Sequence, residues 1–171
     1  MLFFLVTLVF LQADIPAQAT EKIEGAFGFK LGDVFDPSAA INGEQMKGKY
    51  KVTPKIIYPG LTSYYVTITP TTKVIHTITA AATFASKEAG RQIYEDLVNL
   101  IEAKYNQKME GHGSETLLYK TLNKGLSSIG MMLLMDGNVA IQLGYSDMGL
   151  LEQGAEEQRK IEVQKAGKLG L

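Results

Sequence analysis

The run Glu110-Gly111-His112-Gly113-Ser114-Glu115 holds the densest set of chemistry-bearing groups in the chain. Two carboxylates flanking an imidazole offer ligands for a divalent cation, and His112 offers a base for the Ser114 hydroxyl. Each chemistry asks for more than the run supplies. Zinc takes three protein ligands in catalytic sites and four in structural ones, so Glu110, His112 and Glu115 would all have to converge. A Ser–His pair needs a third group to orient the imidazole, and the sequence nominates none. Glycine and polar residues at this density are also the composition of a solvated turn. Gln107 to Ser114 is accordingly read as a loop, with no cofactor assigned.

The other histidine, His76, falls by alternation with Val74 and Ile78 on an apolar face. A neutral core imidazole there needs a hydrogen-bond partner, and Tyr64 and Tyr145 are the candidates. The carboxylates Asp33, Asp36, Asp136 and Asp147 are scattered, with Asp136 explained by a turn and Asp147 by a helix cap. Gly28-Phe29-Lys30-Leu31-Gly32 lacks the Lys-Ser/Thr ending of a phosphate-binding loop. Met131, Met132 and Met135 read as core filling rather than as soft-metal ligands.

The elements that would position these groups begin after residue 48. Residues 20–48 are rich in glycine, proline and small residues, and read as an irregular segment whose Phe27 and Leu31 tuck under the domain edge. Tyr50, Val52, Ile56 and Tyr58 alternate with polar residues, which predicts a half-buried strand limited to an edge by Pro54. Tyr64–Ile68 and Val74–Phe84 alternate likewise around Pro70-Thr71-Thr72-Lys73, completing an antiparallel meander. Ser86 caps a helix predicted from Lys87 to about Asn106, with an apolar stripe of Ala89, Ile93, Leu97, Leu100, Ile101 and Tyr105. Leu117–Leu122 fits either a strand or a short helix. Met131–Met135 and Val139–Tyr145 flank Asp136-Gly137-Asn138, a hairpin signal. Asp147 opens a last helix running to roughly Lys165.

The expected architecture is therefore α+β. An antiparallel sheet of about five strands, in the order β-β-β-α-β-β-α, carries one amphipathic helix on one face. Residues 49–166 form a single domain. Among 171 residues there is no cysteine, so no disulfide contributes, and packing and the sheet ladder must supply stability.

The N-terminus carries an address. Leu2 to Leu11 is an unbroken apolar run, followed by Pro16 and Ala17-Gln18-Ala19, the pattern of a secretory signal peptide spanning residues 1–19 and cut before Thr20. The run is shorter than the roughly 20 residues that span a bilayer, so no stable membrane anchor is expected after cleavage. A periplasmic or secreted location follows as the expectation. Removing residues 1–19 takes away one acid, Asp14, and no base, leaving 17 charges of each sign. A neutral chain lacks the basic footprint of a nucleic-acid binder.

The Phe-Gly-Phe-Lys-Leu-Gly knot at Phe27–Gly32, ahead of a tyrosine-rich meander, a helix and a hairpin, resembles small exported α+β proteins of Gram-negative bacteria that have no assigned chemistry. More distantly, the chain resembles the helix-on-sheet modules of outer-membrane assembly lipoproteins, without their lipidated cysteine. Neither resemblance implies a functional residue. The functional expectation is a non-catalytic exported envelope protein that binds another protein or a small apolar ligand. Surplus apolar side chains on the nominally wet side of the sheet, Tyr65, Ile75, Met132 and Leu134, mark the expected contact surface, and a homodimer through that face is its simplest form. The alternative is a hydrolase or metal-dependent enzyme centred on Glu110–Glu115.

Overall fold

A computed structural model describes residues 22–168, so the expected signal peptide lies outside the described residues. The fold is α+β and antiparallel throughout, but larger than the sequence suggests. Among the described residues, ten strands and two α-helices follow one another: β1 (Gly25–Ala26), β2 (Phe29–Lys30), β3 (Ile41–Met46), β4 (Lys49–Lys51), β5 (Ser63–Ile68), β6 (Ile75–Phe84), α1 (Lys87–Tyr105), β7 (Glu110–Gly113), β8 (Leu117–Lys124), β9 (Ser127–Leu134), β10 (Val139–Asp147) and α2 (Met148–Lys168). Eight of the strands form one sheet in the order β3-β4-β5-β6-β10-β9-β8-β7, not about five. The chain thus lays down a four-stranded meander and a helix, then repeats the plan, and β6 pairs with β10 to join the halves.

The extra strands come from segments with weak local signals. β3 arises within the stretch expected to be irregular, and β7 within the expected Gln107–Ser114 loop, pairing with β8 from Glu110 opposite Thr121 to Gly113 opposite Leu118. Leu117–Lys124 resolves as a strand. The predicted edge strand from Tyr50 to Tyr58 is cut short, because β4 leaves the ladder after Lys51, and Ile56 ends up exposed rather than buried.

Register sorts the side chains. Val66, Ile78, Tyr145 and Ile129 stand in one row across β5, β6, β10 and β9, and Tyr64, Ala80, Leu143 and Met131 in the next. These residues are buried on one dry face. Helix α1 lies on that face, with Gly90 against Val139, Leu133 and Phe84. Its buried stripe is Gly90, Tyr94, Leu97, Val98, Ile101, Glu102 and Tyr105, whereas Leu100, placed in the expected stripe, is 53% exposed. Ser86 Oγ accepts from the Ala89 amide at 3.2 Å, and Asn106 closes the helix in the left-handed region.

The N-terminal segment covers the rest of the dry face. Phe27 and Gly28 turn the β1–β2 hairpin with φ of 58° and 85°, and Phe27 packs edge-on against Tyr64 at 5.0 Å and Tyr145 at 6.1 Å. The Gly32 amide donates to the Ile75 carbonyl, and the Ile75 amide to the Asp33 carbonyl. Helix α2 buries only Gly154 fully. Asp147 Oδ1 caps α2 by accepting from the Leu150 amide at 3.1 Å. Among the described residues, no helix is long and apolar enough to cross a membrane.

Candidate functional site

Three of the four residues expected to mark a contact surface share one face of the sheet. Tyr65 pairs with Thr79, Gln142 with Met132 and Ala81, and Ala140 with Leu134, so Tyr65, Met132 and Leu134 share the face opposite α1. Ile75 does not join them. It pairs with Ile68 on the dry face and is 2% exposed. The cause is an extra residue in β6: Thr67 pairs with Thr77 and Ile68 with Ile75, leaving His76 as a bulge that inverts the alternation below it.

Tyr119, on a segment whose structure the sequence leaves open, completes the surface. It pairs with Met132 and sits at the rim of the face. Leu134 is 39% exposed and Tyr119 37%, and the small residues Ala81 and Ala140 leave a shallow depression of about 380 Å3 bounded by Tyr65, Met132 and Leu134. The charges on this face divide by edge. Lys49 and Lys51 share it on β4 through their pairing with Thr67 and Tyr65, with the Lys49 ammonium 4.5 Å from the Tyr65 ring centre. Glu110 shares it on β7, through Thr121 and Gly130.

The bulge also relocates His76. Its Nδ1 lies 3.1 Å from Thr77 Oγ1, which in turn lies 3.2 Å from Ser146 Oγ. The expected tyrosine partners are engaged elsewhere or distant in register: the Tyr64 hydroxyl donates to the Leu61 carbonyl at 3.2 Å. Burial pushes the His76 imidazole below its ordinary value, partly offset by the Ile68 backbone. Gly154 of α2 is seated beside it, and a Cβ there would lie 3.8 Å from His76 Cδ2. A half-buried, neutral imidazole packed under a helix is a structural element of the α2 seat.

The Glu110–Glu115 run is strand and turn. Glu110 and His112 project from one side of β7, and the His112 ring packs 5.9 Å from Tyr119. Ser114 Oγ accepts from the Leu117 and Thr116 amides at 3.1 and 3.3 Å, shaping the β7–β8 turn. Among the described residues, no three His, Cys, Asp or Glu side chains gather as a metal site. Gly111 serves the close approach of β8, since a Cβ there would run into the Tyr119 carbonyl and the Lys120 Cα.

A cleft of about 510 Å3 lies between α1 and β7–β8, with Tyr94, Val98 and Leu118 in its wall and Glu95, His112 and Lys120 around it. Its lower end is fastened by Glu102. That carboxylate is 9% exposed and accepts from Lys108 Nζ at 2.5 Å and the Met109 amide at 2.9 Å, with Lys120 Nζ at 3.8 Å. Lys108 first, then the Met109 amide, holds its carboxyl below the ordinary value against the opposing effect of burial. Tyr94 places an unpartnered hydroxyl inside the protein, and burial drives it up to about 12, so it stays protonated.

No family model, curated protein or solved structure matches the chain. The functional reading therefore rests on the geometry of these surfaces.

Proposed function

We propose that this chain is a non-catalytic exported envelope protein that works by docking another protein on the open face of its sheet, a second copy of itself being the simplest partner. One observation carries the reading: Tyr65, Tyr119, Met132 and Leu134 are gathered on a single face, on the side of the sheet away from α1. Apolar side chains grouped in this way are a common mark of contact surfaces. Charge favours self-association in one orientation. A two-fold axis parallel to the strands brings the Lys49 and Lys51 edge of one copy opposite the Glu110 edge of the other, and isologous contacts of this kind are the commonest route to dimers.

The test is sedimentation velocity at two protein concentrations, for the chain and for Leu134→Asp. A dimer that the substitution dissociates is the expected result. A monomer at every concentration, with no protein recovered by cross-linking in intact cells, removes the reading. Export is tested separately, by N-terminal sequencing of the purified protein: it begins at Thr20 if the leader is removed, and an intact Met1 in a cytosolic fraction overturns it.

A second reading has one observation in its favour. Tyr94, Val98 and Leu118 wall the cleft between α1 and β7–β8, with Glu95 and Lys120 at its sides, which supports a small apolar ligand bound there. The hydrolytic alternative centred on Glu110–Glu115 gains nothing from Glu95, because His112 shares the open face with Tyr119 and Met132, away from α1. Binding of an apolar fluorescent probe that Leu118→Glu weakens supports the cleft reading, and undiminished binding removes it.

A further inference from the structure

We infer that the connection between β4 and β5 is a lipid-docking tip, in which Ile56 and Ile57 enter the headgroup region of a bilayer containing anionic lipid and Lys55 sits among its phosphates. Ile56 is 64% exposed and its neighbour Ile57 70%. Two adjacent aliphatic side chains turned out together are unlike the isolated exposed apolar residues of an ordinary surface.

The exposure is built into the loop. Pro54 and Pro59-Gly60 bracket the tip. The Lys55 and Ile56 amides both donate to the Phe27 carbonyl, at 3.0 and 3.3 Å. Farther along, the Tyr58 amide donates to the Tyr64 hydroxyl at 3.2 Å, and that hydroxyl donates to the Leu61 carbonyl. The loop backbone is thus braced on both sides, so the isoleucines are held outward rather than left to collapse onto the core. The Lys55 stem lies over Gly28, where a Cβ would collide with it.

Charge selects the partner. Lys55 adjoins the two isoleucines in a stretch with no acid from Lys49 to Thr62. Asp96 of α1 faces Tyr58 at the inner end of the loop. A stable protein interface removes on the order of 1,200–2,000 Å2, more than a two-residue wedge offers. A bilayer asks for less, because shallow apolar insertion and attraction of lysines to anionic headgroups reinforce each other. The proposal stands apart from docking on the open face, since Leu134→Asp leaves the tip intact.

The chain has no tryptophan, so Ile57→Trp installs a single reporter. It is mixed with vesicles of phosphatidylcholine plus phosphatidylglycerol, and with vesicles of phosphatidylcholine alone. The expected result is a blue-shifted emission and vesicle flotation with the anionic mixture. The doubly substituted Ile56→Ser, Ile57→Ser chain should bind about tenfold more weakly while keeping its circular dichroism melting curve. An unchanged emission with anionic vesicles overturns the proposal. So does equal flotation on neutral vesicles, undiminished binding by the serine variant, or a blue shift that grows with protein concentration in the absence of lipid.

Discussion

Glu157 of α2 is fastened to Thr72 of the β5–β6 turn through both carboxylate oxygens: Oε1 accepts from the Thr72 hydroxyl at 2.7 Å and Oε2 from the Thr72 amide at 3.2 Å. The Thr71 amide adds a third bond at 2.7 Å and Gln153 a fourth at 3.0 Å. With so little of α2 buried, this staple is the main polar attachment of the helix to the sheet.

The staple makes α2 docking sensitive to acid. Burial raises the Glu157 carboxyl, but the bonds from Thr72, Gln153 and Thr71 outweigh it and hold it at about 2, against an ordinary 4.5. A depressed carboxyl contributes stability that is complete above its unfolded value and fades as pH falls toward the folded one. The protection of α2 amides against hydrogen exchange, taken relative to their intrinsic rates, should therefore fall between pH 4.5 and 2. In Glu157→Gln it should be about tenfold lower at neutral pH, with a weaker acid dependence. Equal protection in both chains at neutral pH removes the staple from the account.

Two helical glycines should respond to alanine with opposite sign. At Gly90 an added Cβ would fall 2.5 Å from Val139 Cγ1, so α1 must lift off the sheet, and Gly90→Ala should lower the melting temperature. At Gly154 the nearest atom, Thr69 Cγ2, would lie at 3.4 Å, an ordinary contact. There the helix-propensity gain of up to about 1 kcal/mol dominates, and Gly154→Ala should be neutral or stabilising. Thermal melts of the pair decide the matter.

Glu102 couples the end of α1 to the start of β7. Glu102→Gln keeps an acceptor for the Met109 amide but leaves Lys108 and Lys120 without their counter-charge. A loss of about 1–3 kcal/mol in denaturant unfolding is expected. Its carboxyl is depressed in the folded chain, so the wild-type advantage is present at neutral pH and shrinks as pH falls below the ordinary carboxylate value.

Consecutive residues of β9 should separate the core from the surface. Met131 and Leu133 are fully buried, whereas Met132 and Leu134 face the open side. Leu133→Ala should cost about 2–5 kcal/mol. Leu134→Ser should stay within about 0.5 kcal/mol for the monomer and act only on association.

Features with a local cause were legible in the sequence. Ser86 starts α1 by its own hydroxyl, and Asp136-Gly137-Asn138 turns β9 into β10 with Gly137 at φ 73°. The Asp147 cap is equally local. What escaped depends on distant partners. A bulge such as His76 adds a residue without a distinctive side chain, so alternation ran straight through it and put Ile75 on the wrong face. Gly111 and Gly113 depress the strand signal of β7, whose existence comes from pairing with β8. The stripe on α1 was read one step around because Gly90 is invisible to a count of apolar residues, yet it marks where the helix touches the sheet. On the open face, Tyr65, Met132 and Leu134 were found by parity. Tyr119 was missed because its segment had no assigned period.

The β6–β10 ladder, from Val139 opposite Phe84 to Ser146 opposite Thr77, is the seam between two successive meander-and-helix halves. Hairpin contacts inside each half close over short loops, but this seam must gather strands separated by a helix and three further strands. Because loop-closure entropy grows with the length of chain enclosed, its formation is the step expected to limit the rate of assembly. A chain nicked between Gln107 and Lys108 would turn that step into a bimolecular encounter, and two fragments mixed from dilute solution should regain structure at a rate set by their concentration.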